Sequence, residues 1–170
     1  GDLAAVICAT TSGQNAFPSC ACEIAGALGV GGVPAFDVAA ACSGFSYAYA
    51  LAHAMIMSGQ AHKVLVVGSD RISHACNPQD RTTIILFGDG AGAAILGESD
   101  EPGTLALQLS SDPKRAPLLT LPHPVRGRAS SESDYLYMKG NEVFKQAVVI
   151  LAGLVTKTLE QAGIQDSDLD

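Results

Sequence analysis

A chain of 170 residues is long enough to bury the hydrophobic core of an ordinary domain. Apolar residues make up 48% of the chain and charged residues only 16%, a balance that excludes an intrinsically disordered protein. Since 10 Lys and Arg stand against 17 Asp and Glu, the net charge of −7 argues against general binding of nucleic acids or anionic membranes.

The five cysteines do not match a disulfide or metal framework. Their number is odd, no CxxC pair occurs and most stand in apolar or Ala-rich surroundings, so we expect reduced thiols and no metal site. Cys20 and Cys22 cannot point to one side of a helix, which argues against a redox pair there and indicates buried small side chains. The sequence has no export signal and no apolar run of about 18 residues or more, so we expect a cytoplasmic protein.

Strands and helices alternate in the first part of the chain. The apolar run 4–9 predicts a strand that is buried on both faces of a parallel sheet. A predicted helix begins after Pro18 and ends at Gly29. The next predicted strand, 35–39, leads into a helix that is apolar on every face as far as Gly59, and such a helix is expected to be buried all round.

The middle of the chain continues the alternation. Apolar runs at 63–68, 91–96 and 104–109 predict three further strands. The glycines of 88–92 lack the Walker lysine and the GxGxxG spacing, so they predict a tight turn and not a phosphate loop. The polar stretch 110–134 contains several turn formers and predicts a surface loop. The pattern as a whole favours a layered α/β architecture.

The last part of the chain contains a short predicted strand at 135–138 and a long predicted helix. Asn141 can cap this helix and Gly163 can end it. A polar Asp-Leu turn stands near both ends of the chain, in GDLAAVICA and in DSDLD, which hints at an internal repeat.

Cys42 stands in DVAAACSGFSYAYA, where a predicted strand gives way to a helix. The unpaired N–H groups at a helix N-terminus favour thiolate over thiol and can stabilise an oxyanion. Gly44 would let a substrate approach without a side chain in the way. The alternative is that Cys42 is a small buried hydrophobic residue without chemistry. Position alone leaves both interpretations open.

Five motifs occur in one order over nearly the whole chain: ATTSGQNAFPS, PAFDVAAACSGF, VLVVGSD, DRTTIILFGDGAGAAIL and MKGNEVFKQAV. Together they resemble β-ketoacyl-acyl carrier protein synthase III, a family of condensing enzymes in the thiolase superfamily. This family starts type II fatty acid synthesis. The resemblance implies a thiolase-like fold, a layered α/β/α arrangement with mixed sheets, here incomplete. Residues 1–100 would be the latter part of the N-terminal half-domain, which bears the nucleophile, and residues 101–170 the start of the C-terminal half-domain.

The resemblance also implies an activity. In that family a cysteine takes an acyl group from acyl-CoA, and the acyl group is joined to malonyl-acyl carrier protein with loss of carbon dioxide. Cys42 matches this cysteine. The coenzyme A thioester is a substrate, and no cofactor is implied.

The resemblance alone implies further site residues. The alternative is that the apolar ones are ordinary core residues and the charged ones are solvated surface side chains. Phe17 matches a residue that the partner of a homodimer inserts to close the acyl pocket, Arg81 matches the contact to the adenine of coenzyme A, and Lys145 matches a contact to the acidic carrier protein. The remaining implied pocket residues are Ile72, Phe87, Leu136 and Met138.

The family also uses a histidine and an asparagine for condensation. None of the four histidines stands in a PHQAN-like setting, so we expect all four to be incidental; they are His53, His62, His74 and His123. The chain therefore looks like an internal fragment that would not condense substrates alone. Two alternatives remain open: another condensing enzyme of the type III polyketide or alkylquinolone type, and a non-catalytic thiolase-like assembly module.

Overall fold

The computed structural model describes residues 2–101, 103–122 and 134–169. The described residues divide into two compact units, one within Gly1–Arg71 and Asp89–Pro102 and the other within Ile72–Gly88 and Gly103–Asp170. The half-domain boundary expected between residues 100 and 101 stays a prediction. Within the described ranges, no helix combines the length and the apolar character needed to cross a bilayer.

The first unit contains a four-stranded mixed sheet in the order β2-β1-β3-β4. β1 is parallel to both of its neighbours, and β4 is antiparallel to β3. The elements of this unit are β1 (Ala5–Ala9), α1 (Cys20–Ala27), β2 (Ala35–Val38), a 3-10 helix (Ala41–Ser43), α2 (Gly44–Met57), β3 (Lys63–Arg71) and β4 (Asp89–Gly97).

β1 is the centre of the core, and all five of its residues are buried. Alternate side chains point to opposite faces of the sheet. On one face Ile7 packs with Ala48 and Ala52 of α2, and on the other Val6 packs with Ala21 of α1. The prediction of a strand buried on both faces is confirmed, because a helix covers each face.

α1 begins where two side chains satisfy its first N–H groups. The Ser19 hydroxyl accepts from the Cys22 N–H at 3.1 Å, and the two carboxylate oxygens of Asp37 accept from the N–H groups of Cys20 and Ala21 at 2.8 Å each. Such N–H groups have no partner inside the helix, so these side chains fix its start. The helix is followed by Gly29, which has a φ of 68°.

α2 is not buried on every face, so that prediction is wrong. Its buried residues Gly44, Ala48 and Ala52 form one stripe at a spacing of four, whereas Leu51 is 43% exposed and Met57 is 73% exposed. The reason is geometric: the sheet of the first unit covers only the stripe that faces it, whatever the composition of the other side.

The second unit contains a two-stranded antiparallel sheet of β5 and β6 and one long helix. Its elements are a 3-10 helix (Ile72–Ala75), α3 (Arg81–Ile84), a 3-10 helix (Pro113–Leu118), β5 (Leu119–Thr120), β6 (Tyr137–Met138), α4 (Gly140–Ala162) and a 3-10 helix (Asp166–Asp168). Of the predicted loop 110–134, residues 123–133 lie outside the described residues, and His123 is among them.

The start of α4 differs from the sequence prediction. Asn141 lies inside the helix and not at its cap, because the cap position is taken by Lys139, whose N–H donates to Leu118 O at 2.8 Å. That bond fixes the chain direction two residues before Asn141. Gly163 ends the helix with a left-handed φ of 69°, as predicted.

Two further local predictions are wrong. Residues 104–109 form no strand, because an apolar run becomes a strand only when a neighbouring strand pairs with it. The glycines of 88–92 do not form a tight turn. β4 begins at Asp89, and Gly90 and Gly92 lie in the ladder opposite Asp70 and Gly68.

Candidate active site

Cys42 lies in the short 3-10 helix that runs directly into α2. Its thiol is exposed, so the alternative of a buried inert side chain does not hold. The preceding residue, Ala41, has a φ of 46°, the left-handed region that side chains other than glycine seldom adopt. This backbone reversal lets the chain turn from the end of β2 into α2 with the Cys42 side chain in the connection.

The backbone N–H groups around Cys42 differ in whether they have a hydrogen-bond acceptor. Ser43 N–H donates to Ala40 O at 3.2 Å and Gly44 N–H donates to Ala41 O. No described residue offers an acceptor to the Cys42 N–H. The N-terminal end of the 14-residue α2 adds a positive field at the same place. The thiol therefore lies beside one free donor and the positive end of a helix.

Gly44 allows close packing, and its expected role in substrate access stays a prediction. A Cβ at Gly44 would come within 3.1 Å of Ala9 Cβ, closer than ordinary contact. The start of α2 is thus pressed against the last residue of β1. This close approach fixes where the segment carrying Cys42 lies on the sheet.

The two histidines of the first unit lie away from Cys42. His53 is nine residues after Gly44 along α2, which corresponds to about 13 Å along the helix axis. His62 Nε2 lies 2.7 Å from Asp2 O, just before β3 begins, whereas Cys42 follows the end of β2. Since β2 and β3 are both parallel to β1, these are opposite ends of the sheet. Neither histidine can exchange a proton with Cys42.

Asp70 is an organising residue that the sequence reasoning missed. Its Oδ1 accepts from Thr11 N at 2.8 Å, from the Thr11 hydroxyl at 3.1 Å and from the Ser12 hydroxyl at 2.9 Å. Ser12 Oγ in turn accepts from Arg71 N at 2.7 Å. The loop after β1 is thereby fastened to the end of β3. An acid directly after a buried apolar strand was the signal that could have revealed it.

Phe17 stands at the end of that loop and is 86% exposed. Nearby, Asn15 Nδ2 donates to Glu23 Oε1 of α1 at 2.8 Å. The loop is therefore tied at one end by Asp70 and at the other by α1. Among the residues proposed from the sequence, the first unit contains Cys42 and Phe17.

The other six proposed residues belong to the second unit. Leu136 is buried and its N–H donates to Ala75 O at 2.7 Å, which ties the strand-like segment 136–138 to the 3-10 helix that Ile72 opens. Met138 is half-buried in β6. The structure thus brings Ile72, Leu136 and Met138 to one short part of the second unit.

Arg81 and Phe87 flank the short helix α3 in different environments. Arg81 is its exposed first residue, and Phe87 follows it half-buried. Asp80 caps the helix: its Oδ1 accepts from Thr82 N at 2.9 Å and its Oδ2 accepts from the Thr83 hydroxyl at 2.9 Å. Hydrogen bonds from the Thr82 hydroxyl, the Thr82 N–H and the Thr83 hydroxyl lower the pKa of Asp80.

Lys145 is exposed on α4. Cys22 is exposed, which corrects the expectation that it is buried, since it lies on the side of α1 that faces away from the sheet. The described residues gather no group of three or more His, Cys, Asp or Glu side chains that could hold a metal ion.

Comparison with known proteins identifies the family that this chain matches. The sequence model for 3-oxoacyl-[acyl-carrier-protein (ACP)] synthase III matches residues 36–113, a segment that includes Cys42. The β-ketoacyl-[acyl-carrier-protein] synthases III of Aliivibrio fischeri and Shewanella oneidensis are each 52% identical over 170 residues, which is 99% of this chain. The chain belongs to the β-ketoacyl-acyl carrier protein synthase III family. It spans 53% of the length of each of these two relatives.

Solved structures support the same family. The 3-oxoacyl-(acyl carrier protein) synthase III of Pseudomonas aeruginosa is 40% identical with a TM-score of 0.87, over 98% of this chain and 52% of that one. The synthase III of Thermus thermophilus is 36% identical with a TM-score of 0.91, over 99% of this chain and 53% of that one. The predicted thiolase-like fold is confirmed, and it is incomplete relative to the full-length synthases. These relatives favour the synthase III family over the alternative condensing enzymes.

Proposed function

We propose that Cys42 is the nucleophile of a β-ketoacyl-acyl carrier protein synthase III and accepts an acyl group from acyl-CoA. The whole protein then condenses this acyl group with malonyl-acyl carrier protein, releases carbon dioxide and forms 3-ketoacyl-acyl carrier protein. The observation that carries the proposal is the exposed Cys42 thiol at the N-terminal end of α2, inside the segment that the family model matches.

The acylation step uses groups that lie beside Cys42. The thiolate sulfur attacks the thioester carbonyl carbon, a new carbon–sulfur bond forms and the carbonyl electron pair moves onto oxygen. The Cys42 N–H would donate to that oxyanion, because the Ser43 and Gly44 N–H groups already donate to carbonyls. Collapse of the intermediate expels the coenzyme A thiolate and leaves an acyl-cysteine.

We extend the proposal to the other residues that match the family. Arg81 would contact coenzyme A and Lys145 the acidic carrier protein, and both side chains are exposed. The exposed Phe17 would close the acyl pocket of a homodimer partner. The proposed pocket lining in the second unit is Ile72, Phe87, Leu136 and Met138.

We also propose a half-domain assignment and a location in the cell. Residues 1–100 would belong to the N-terminal half-domain and residues 101–170 to the C-terminal half-domain. The protein would work in the cytoplasm. The coenzyme A thioester would be a substrate, with no further cofactor.

Intact-mass measurement after incubation with acetyl-CoA tests the nucleophile. The wild-type chain is expected to gain one acetyl group, and Cys42→Ser is expected to gain none as a thioester. Cys22→Ser is the matched control, because Cys22 is also exposed but lies on α1. The proposal fails if Cys42→Ser is acetylated as readily as the wild type. A non-catalytic assembly module would leave all three proteins unmodified.

A further inference from the structure

Cys8 and Cys20 lie on the same face of the first unit's sheet, outside the site of Cys42. Cys8 is a β1 residue whose side chain points towards α1, and Cys20 is the first residue of α1. We propose that these two thiols form an intramolecular disulfide with a small-molecule disulfide, of the glutathione disulfide class, as the oxidant.

Asp37 holds the start of α1, with Cys20, close to Cys8. In the parallel ladder of β1 and β2, Cys8 is paired with Asp37. The Asp37 carboxylate accepts from the Cys20 N–H at 2.8 Å. The first turn of α1 is therefore anchored to the residue beside Cys8, and the Cys20 side chain packs against the buried cluster that contains Cys8.

The two thiols differ in access to solvent. Cys8 is 0% exposed, whereas Cys20 is only partly buried. Burial raises the pKa of Cys8 to about 12, with further contributions from its contact with the Cys20 thiol and from the carboxylates of Asp37 on β2 and Asp70 on β3. Cys20 is thus the thiol that an oxidant reaches, and Cys8 is the thiol that then attacks the mixed disulfide formed at Cys20.

No other cysteine of the first unit can substitute for this pair. Cys22 follows Cys20 by two residues, which rotates it about 200° around the helix, and it is exposed. Cys42 is exposed in the connection between β2 and α2. The geometry therefore predicts one pairing out of several that the sequence allows.

The reaction balances in two exchange steps. The Cys20 thiolate attacks one sulfur of the small disulfide, a mixed disulfide forms and one small thiol leaves. The Cys8 thiolate then attacks the Cys20 sulfur and displaces the second small thiol. Two protein thiols are oxidised, one small disulfide is reduced to two thiols, and the two protons end on those thiols. The new bond fixes the start of α1 to β1.

The reduced chain is equilibrated with glutathione disulfide, quenched in acid, unfolded and treated with N-ethylmaleimide. Cleavage after Glu23 releases a peptide that holds Cys8, Cys20 and Cys22. An internal disulfide makes this peptide lighter by two hydrogen atoms, whereas a glutathione adduct makes it heavier, and the maleimide marks the remaining thiol. We expect the internal disulfide with the maleimide on Cys22. Maleimide on Cys8 or Cys20 of an internally bridged peptide, or no bridge at all, overturns the proposal.

Variants separate the pairing from general reactivity. Cys20→Ser and Cys8→Val are each expected to lose the internal disulfide, and Cys22→Ser is expected to retain it. Oxidation of the unfolded wild type in guanidinium should give mixed pairings, because the selectivity depends on the fold. Starting from the mixed disulfide, ring closure should still accelerate above neutral pH, since burial raises the pKa of the resolving Cys8 thiol. A rate that levels off near neutral pH contradicts the assignment of Cys8.

Discussion

The Asp70 carboxylate accepts a hydrogen bond from the Ser12 hydroxyl at 2.9 Å, although the two residues are 58 positions apart. The same hydroxyl oxygen accepts from Arg71 N at 2.7 Å, so Ser12 connects the loop after β1 to the end of β3. This loop leads to Phe17, and it leaves β1 at the same end of the sheet at which β2 leads towards Cys42. The placement of the candidate site therefore depends on polar contacts as well as on the apolar core.

Asp70→Ala tests the fastening of the loop. Four donors, on Thr10, Thr11 and Ser12, lose a charged acceptor, so we expect the free energy of unfolding to fall by about 1–3 kcal/mol. Urea unfolding measures the loss, and hydrogen exchange should show faster exchange at Thr11. Asp100→Ala, an exposed acid at the end of the first unit, is the control and should change stability little. Equal stabilities of the two variants would show that the loop does not depend on Asp70.

Gly44→Ala tests the close approach of α2 to β1. The added methyl group would come within 3.1 Å of Ala9 Cβ, and overpacking of a core typically costs about 1–3 kcal/mol. Gly26→Ala is the matched control, because it is also a helical glycine but has no atom within 4 Å of the added Cβ. That variant should gain about 0.5–1 kcal/mol from helix propensity. Thermal unfolding of both proteins decides the matter, and stabilisation by Gly44→Ala contradicts the packing account.

The pKa of Asp80 should depend on the hydroxyl of Thr82. This hydroxyl donates to Asp80 Oδ1 at 2.6 Å and is the largest cause of the lowered pKa. Because the folded pKa is lower than the unfolded one, the ionised carboxylate stabilises the fold above the ordinary value of 3.8, and this contribution is lost as the pH falls through the folded pKa.

An NMR titration of the Asp80 carboxyl carbon measures this effect. Thr82→Val keeps the backbone N–H but removes the hydroxyl, so the pKa of Asp80 should rise towards its ordinary value. Thr156→Val removes a hydroxyl that donates within α4 to Ala152 O, and it should leave Asp80 unchanged. A titration that is the same in all three proteins would assign the lowered pKa to another cause.

This chain should carry out acylation without condensation. We expect the 170-residue protein to take up an acyl group but to form no 3-ketoacyl product with malonyl-acyl carrier protein. The histidines of the first unit lie away from Cys42, His53 along α2 and His62 at the opposite end of the sheet. Mass spectrometry of the carrier protein after incubation with acetyl-CoA measures the product. Accumulation of 3-ketoacyl-carrier protein over a chain-free control contradicts the expectation.

Apolar runs and glycines were sufficient to predict much of the fold. The run at β1 predicted a strand because covered strands of a parallel sheet need apolar side chains on both faces. The stop of α4 at Gly163 was also predictable, because a left-handed residue there favours glycine. The run 104–109 misled the prediction, since strand formation depends on a partner strand that a local pattern does not specify.

The candidate site was less accessible to sequence reasoning. Cys42 could be singled out by its place between a strand and a helix, but its exposure and the left-handed Ala41 could not. The hydrogen bonds from Thr11 to Asp70 and from Cys20 to Asp37 join residues that are far apart along the chain. Such long-range polar contacts have no periodic signal, so they emerge only when the strands are placed side by side.

Peptide-resolved mass spectrometry of acetyl transfer from acetyl-CoA tests the central claim most directly, because Cys42 and Cys22 are both exposed and differ in position. Cys42 lies at the N-terminal end of α2 beside a free N–H donor, so the account predicts that the acetyl thioester accumulates on Cys42 at least about tenfold faster than on Cys22. Equal rates at the two cysteines, or an acetyl group on Cys22 alone, would contradict the assignment of Cys42 as the nucleophile.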